Sequence, residues 1–268
     1  MRVEVNQDTC VRCGACVEVC PSEVFIMTAT GPEETSSRGC IACGHCVAVC
    51  PVAALDIETA PLAEQVPIRE EWSISSNQAE QFLRSRRSIR RYKKEPVSQE
   101  KLMQILHIAR LAPTGSNSQG TRFVVIENSA TLGALREQMA VFFEEGCQNG
   151  MIARGYRKIF ESYRTKGKDV FFRGAPQLLL ALNEEDNPAR EANGQFAFTY
   201  AELFAPSIGI GTCWAGFFMW FAKYNPEKVA TLLALPAGWK VTAALMVGVP
   251  QYTYRRLPER EPLQVEWR

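Results

Sequence analysis

The chain has 268 residues, 46% of them hydrophobic, with 30 Lys and Arg against 29 Asp and Glu. That length holds one large domain, or a small and a medium one, each with a core of its own. A net charge of +1 excludes a global attraction to nucleic acid, and MRVEVNQDTC lacks the apolar stretch of an export signal, so a cytoplasmic location is expected.

The first elements carry cysteine. Eight of the ten cysteines precede residue 51, and CVRCGACVEVCP at 10–21 returns as CIACGHCVAVCP at 40–51. Thiols of a chain without an export signal stay reduced, and soft thiolates suit iron-sulfur clusters or zinc. Zinc motifs pair Cys-x-x-Cys units rather than doubling a triplet plus one, so clusters are expected over zinc or a disulfide scaffold. Three cysteines at two-residue intervals wrap three corners of a cubane. The fourth comes too soon to close the same cluster, and in the bacterial two-cluster pattern it ligates the other one. The expected sets are Cys10, Cys13, Cys16 and Cys50 for one 4Fe-4S cluster, and Cys40, Cys43, Cys46 and Cys20 for the second. His45 reads as a surface residue.

Residues 3 to 58 thus resemble the two-cluster bacterial ferredoxins, with VEVN and ALDIE as short outer strands and PSEVFIMT beginning a hairpin. The resemblance implies a module that relays single electrons at low potential. Three domain-scale segments follow: a ferredoxin domain at 1–58, a linker at 59–78 without helical or strand period, and a domain at 79–268. Residues 1–60 carry three basic and eight acidic side chains, and the remainder is net basic. An acidic relay tethered to a basic body favours docking of one on the other.

Beyond the linker, AEQFLRSRRS reads as a helix start and SQEKLMQILHIARLA as an amphipathic helix with Ser98 as N-cap. TRFVVIE, APQLLLALN and KVTAALMVGVP read as strands buried on both faces. Helical stretches are expected around 129–145, 148–165, 188–205 and 226–235, giving a mixed α/β domain and an α+β chain overall. Leu203 to Ala222 holds no charged residue, but its proline and glycines favour a buried segment over a membrane span. GIGTCWAG has the wrong glycine spacing for a dinucleotide fingerprint.

Four stretches carry chemistry. RSRRSIRRYKKEPV offers convergent guanidinium and hydroxyl donors for a phosphate, with Ile89 and Tyr92 at helical spacing; a solvated basic face is the plain alternative. LAPTGSNSQGTRF is a small-residue turn that admits a planar ligand, GIGTCWAGF gives close backbone approach beside Trp214, and the tail YTYRRLPER adds two arginines. In this order they resemble the nitroreductase family of FMN enzymes over residues 80 to 260.

The resemblance implies that Arg86, Arg87, Ser88, Ile89 and Arg90 bind the FMN phosphate and ring. It puts Pro113, Thr114, Gly115, Ser116, Asn117, Ser118 and Gln119 at the flavin border. Thr212, Cys213, Trp214, Ala215 and Gly216 would lie against the isoalloxazine, with Arg255 and Arg256 returning to the phosphate. Many members carry a glutamate where Ala215 stands, and no family role is carried to Lys166 or Lys168. Cys147 and Cys213 are expected to be quiet thiols, and His107 a packing or surface residue.

The resemblance also implies a homodimer with FMN at its interface, where the 203–222 stretch would be buried. The expected function is an iron-sulfur flavoprotein oxidoreductase whose clusters feed FMN. It would take electrons from ferredoxin, flavodoxin or NAD(P)H and reduce a nitroaromatic, quinone or activated alkene. The alternatives are an electron-transfer protein serving a protein partner, and a reductive dehalogenating or flavin-consuming relative.

Overall fold

The computed structural model describes residues 3–35 and 39–268. Residues 1–2 and 36–38 of the expected first domain lie outside that set. The chain divides into two compact units, Met1–Ser73 with Gly115–Ser118, and Ile74–Thr114 with Gln119–Arg268.

The first unit is built on the cysteine repeat. Strand β1 (Val3–Val5) leads to helix α1 (Ala15–Glu18), the hairpin β2 (Phe25–Thr28) and β3 (Gly31–Glu34), helix α2 (His45–Ala48) and strand β4 (Leu55–Ile57). β1 pairs antiparallel with β4, and β2 with β3, so both expected outer strands and the hairpin form. Gly14 and Gly44 enter the two helices at φ 83° and 71°, a left-handed conformation that glycine adopts without a Cβ penalty. Arg12 and Ala42 repeat the same relation at φ 54° and 55°. Each half therefore bends its three-cysteine loop by the same backbone device. The core is small: Val24, Phe25, Cys46, Val47, Leu55 and Ile57.

The expected linker at 59–78 contains local helical structure. Single turns of 3-10 helix occupy Leu62–Glu64 and Glu70–Trp72, and helix α3 (Ser76–Ser85) already begins within it. Ser75 accepts from the Gln78 amide while the Gln78 side chain accepts from the Ser75 amide. This reciprocal cap satisfies two otherwise orphaned donors, and it fixes the helix start three residues before the expected one.

The second unit continues with helix α4 (Gln99–Ala109), strand β5 (Arg122–Ile126), helices α5 (Ser129–Asn149) and α6 (Arg157–Lys166), and strand β6 (Gln177–Glu184). Helix α7 (Arg190–Phe204), strand β7 (Gly211–Trp214), helices α8 (Gly216–Tyr224) and α9 (Pro226–Leu233), and strand β8 (Trp239–Gly248) complete it. Ser98 caps α4 as expected, accepting from the Lys101 amide at 3.4 Å. The strands form one antiparallel sheet in the order β5-β6-β8-β7.

Helices cover both faces of the central strands, so β6 is buried from Gln177 to Asn183. Edge strand β5 is half exposed and departs from the expected two-faced burial. The expected helix at 148–165 also divides differently. α5 runs on to Asn149 and stops at Gly150, φ 82°, and α6 restarts at Arg157.

Two cores lie against the sheet. One joins α4 and α7 through Ile105, Phe198, Leu179 and Leu245. The other is aromatic: Phe143 stacks on Phe160 at 4.5 Å and meets Phe217 and Trp220 edge-on at 5.3 and 5.6 Å. Ala205, Ile210, Cys213, Ala215, Phe218 and Phe221 of the uncharged 203–222 stretch are buried in the unit's own interior. Among the described residues no helix is long and apolar enough to cross a membrane.

Candidate functional site

Within the first unit two cavities open between the repeat loops. One is lined by Cys10, Cys13, Cys16 and Cys50, the other by Cys20, Cys40, Cys43 and Cys46. Each set takes three cysteines from one repeat and the fourth from the other, because the chain just past α1 and α2 places Cys20 and Cys50 at the neighbouring loop. Among the described residues no three His, Cys, Asp or Glu side chains converge on a single metal ion; a cubane needs its four thiolates spread over its corners instead.

Backbone amides already aim at several sulfurs: Val24 N at Cys20 Sγ, 3.4 Å, Ala42 N at Cys40 Sγ, 3.3 Å, and Ala54 N at Cys50 Sγ, 3.2 Å. Such donors stabilise thiolate charge. Burial pushes the Cys46 thiol up to about 11 and also raises Cys16, so positively charged iron is what favours their deprotonated forms. The donor set fits two clusters. His45 is exposed, as expected.

The second unit assembles the other motifs. Residues 86–92 are extended rather than helical, so the spacing of Ile89 and Tyr92 reflects strand-like pairing. Ile89 N donates to Thr212 O at 2.8 Å, at the start of β7. Lys93 N donates to Val249 O at 2.8 Å and Gln251 N to Arg91 O at 3.1 Å. A Cβ on Gly211 would lie 2.7 Å from Ile89 and 2.9 Å from Pro250. The glycine is thus required by the close approach of three chain segments.

The tail follows the arginine run. Arg87 stands over the Tyr254 ring at 5.8 Å, and Arg84 pairs with Glu259 at 3.0 Å. Arg255 and Arg256 are exposed along that tail.

Arg90, Cys213, Trp214 and Gly216 then line one open cavity of about 230 Å³. Its wall also holds Tyr156, Phe171, Arg173, Phe217, Trp220 and Met246, which sequence reasoning did not find. Two guanidinium groups beside an aromatic wall suit an anionic cofactor with a planar ring. A larger cavity of about 820 Å³ shares Trp214 and Trp220 with it but contains none of the arginine run. The smaller cavity thus takes Arg90 from the arginine run and Cys213, Trp214 and Gly216 from the third motif, whereas Arg86, Arg87, Ser88, Arg255 and Arg256 do not line it.

Glu202 is a further residue the motifs did not reveal. Its carboxylate lies 3.6 Å from Arg86 Nη1 and 3.5 Å from Thr212 Oγ1, with its side chain only 16% exposed. Burial raises its pKa and outweighs the opposing pull of Arg86. The signal available was its place as the last charge before an uncharged stretch. Cys213 is buried, and burial raises its pKa ahead of the opposing Arg90 charge. Burial raises Cys147 as well, and His107 is exposed. Ala215 is buried, its amide donating to Ala244 O at 2.9 Å, so it brings no side chain to the cavity.

The turn at 113–119 behaves differently. Gln119 N donates to Thr114 Oγ1 at 3.0 Å and closes its base. The tip, Gly115–Ser118, groups with the first unit, and Asn117 Nδ2 donates to Ile41 O and Ala42 O at 2.9 and 3.0 Å. None of residues 113–119 lines the 230 Å³ cavity.

An antiparallel sheet packed between helices, a basic aromatic cavity and a paired four-cysteine module define a redox protein of two cofactor types. The model of the Nitroreductase family matches residues 83–249, and that of the 4Fe-4S dicluster domain residues 2–51. The chain belongs to the nitroreductase family. It is an FMN-dependent oxidoreductase, and its dicluster domain gives it two 4Fe-4S clusters.

It is 26% identical over 184 residues to an iodotyrosine deiodinase of Thermotoga neapolitana, covering 66% of this chain and 91% of the relative. A 5,6-dimethylbenzimidazole synthase of Rhodospirillum rubrum is also 26% identical over 184 residues, with 66% and 84% covered. A nitroreductase from Bacteroides fragilis, solved with bound FMN, superposes with a TM-score of 0.58 at 20% identity, covering 71% of this chain and all of that one. That likeness shows the fold.

Proposed function

We propose that this chain takes single electrons from a low-potential carrier and reduces a small-molecule acceptor at a flavin. When bound, the clusters supply one-electron transfer and FMN couples it to two-electron reduction of a nitroaromatic, quinone or activated alkene. The supporting observation is the pairing of two four-cysteine cavities in one unit with a basic, aromatic-walled cavity in the other.

Cys10, Cys13, Cys16 and Cys50 hold one cluster, and Cys20, Cys40, Cys43 and Cys46 the second. Arg86, Arg87, Ser88 and Arg90 bind the phosphate end of FMN, while Cys213 to Gly216 and Trp220 border its ring. Arg255 and Arg256 add charge along the same run. Glu202 restrains Arg86, and Phe171 and Phe217 give the cavity an apolar wall. The donor is ferredoxin or flavodoxin rather than NAD(P)H, the assembly is a homodimer, and the location is cytoplasmic. An electron carrier serving a protein partner is the alternative without substrate chemistry.

The test is an anaerobic panel of nitro compounds, quinones and enones, monitored by flavin reoxidation. Reduced ferredoxin and NADPH serve as donors to the parent and to a Cys13→Ser chain. Ferredoxin-driven turnover that collapses in the variant supports the reading. NADPH serving both equally, with no loss on cluster damage, defeats the relay. No oxidant above background favours the electron carrier.

The relatives support a second reading, since one is named for deiodination and another for synthesis of 5,6-dimethylbenzimidazole. Iodotyrosine as the preferred oxidant, or destruction of reduced FMN under oxygen, would move the assignment to those reactions.

A further inference from the structure

Asn117 lies in a turn whose sequence suggested a flavin border, yet its side chain reaches the loop between two cluster cysteines. The amide Nδ2 donates to the carbonyls of both Ile41 and Ala42, at 2.9 and 3.0 Å. Carbonyl oxygens only accept, so two such partners fix which end of the carboxamide points there. Asn117 is half-buried and has φ 52°, a left-handed conformation that asparagine tolerates better than most residues. Ser116 and Gln119 share this conformation at 51° and 49°, and together these residues turn the tip toward the loop.

The Ile41 carbonyl and the Ala42 N–H belong to one peptide unit. That N–H points at Cys40 Sγ, 3.3 Å away. The path runs from Asn117 Nδ2–H to the Ile41 carbonyl and on through the Ala42 N–H to a cluster sulfur. A donor on the carbonyl polarises the peptide and strengthens its N–H as a donor. The second bond, to the Ala42 carbonyl, engages the next peptide of the same loop. Hydrogen bonds to the sulfurs tune the potential of a cluster, because they stabilise the more negative reduced form.

We propose that Asn117 is a positioning residue of the cluster held by Cys20, Cys40, Cys43 and Cys46, clamping its loop and raising its reduction potential. The proposal rests on the two-cluster reading above.

The experiment compares the full-length parent with Asn117→Ala and Asn117→Asp; the latter is nearly isosteric and removes the donor. Iron is counted in each, and the clusters are titrated with dithionite and read by electron paramagnetic resonance. A Cys40→Ser chain, in which the second cluster is damaged, assigns the two signals. Loss of this support should lower the reduced-to-oxidised ratio of that cluster roughly three- to tenfold at a fixed solution potential. The other cluster should not move. Selective loss of the second cluster would equally show the clamp.

Unchanged potentials in variants that keep eight irons would overturn the role of Asn117 alone. Equal shifts of both clusters would also overturn it, as would weakened FMN retention with unchanged potentials. A parent with far fewer than eight irons would instead overturn the cluster reading beneath it.

Discussion

The two units organise their cofactor sites in opposite ways. Among the described residues, the apolar core of the first holds six buried residues, one of them Cys46, and its eight cysteines face two cavities. The second surrounds its sheet with two large cores whose aromatic members, Phe171, Phe217 and Trp220, also form the cavity wall. A unit of this small size lacks the apolar burial that supports larger domains, so cofactor binding must supply much of its folding free energy. The second unit builds its site from a core that stands without the ligand.

That difference is broken most directly by removing iron. Anaerobic chelation should abolish amide-exchange protection through β1, β2, β3 and β4 while β6 and β8 remain protected. Hydrogen exchange read by mass spectrometry checks this. Equal protection of the first unit with and without iron would defeat the claim that clusters hold it together. In the same frame, Cys20→Ala should damage the cluster of Cys40, Cys43 and Cys46, since those four share one cavity. Loss of the other cluster alone would refute the crossed pairing.

The converse perturbation is Phe143→Ala. Phe143 is fully buried and contacts Phe160, Phe171, Phe217 and Trp220. Truncation should cost about 3 to 5 kcal/mol of the second unit's stability, measured by urea unfolding, with iron content unchanged at about eight per chain. Because three of those rings, Phe171, Phe217 and Trp220, line the cavity, flavin binding should loosen as well. A variant that unfolds the cluster unit first would contradict the separation.

How far each unit was legible follows from the same contrast. The cluster sites were written locally, since Cys10 to Cys16 and Cys40 to Cys46 each supply three ligands of one set within seven residues. The strands around Phe123, Leu180 and Ala244 were visible as apolar runs because packing on both faces, or on one, demands it. β7 was not, since GTCW is only four residues long and its strand character comes from pairing with β8. The extended run at 86–92 was obscured for a related reason: its partners, Thr212 and Gln251, are more than a hundred residues away. Phe171 and Arg173 reach the cavity from one segment and Met246 from another, both far in sequence from the arginine run, so no local spacing could announce them. Asn117 sits in a turn whose small residues point to a flavin border, and only its tertiary hydrogen bonds set it beside Ile41 and Ala42.

A smaller effect sharpens the second unit's site. Arg90→Ala or Arg86→Ala should weaken FMN affinity on the order of tenfold or more, since charge-assisted phosphate contacts contribute roughly 1.5 to 3 kcal/mol each. Flavin retention after dialysis, with absorbance at the flavin band, measures it. Cluster content should be indifferent to either change. Unchanged retention in both variants would move FMN away from the arginine run.

The smallest expected effect concerns Glu202 and tests whether the flavin site is already strained by burial. Burial raises the Glu202 pKa above its ordinary carboxylate value despite the Arg86 charge nearby. The folded chain therefore holds that proton more tightly than the unfolded chain does. Stability from this group is fully present below the unfolded carboxylate pKa and is lost as pH rises through the raised folded value. Glu202→Gln keeps the shape and removes the titration. Relative to the variant, the parent should lose stability with rising pH just above the ordinary carboxylate range, then run parallel to it near neutrality. Urea midpoints of the second unit by circular dichroism, from about pH 5 to 7.5, give both curves. A parent that gains stability over the variant as pH rises would mean that Arg86 outweighs burial, and that Glu202 is a firm ion pair rather than a desolvated acid.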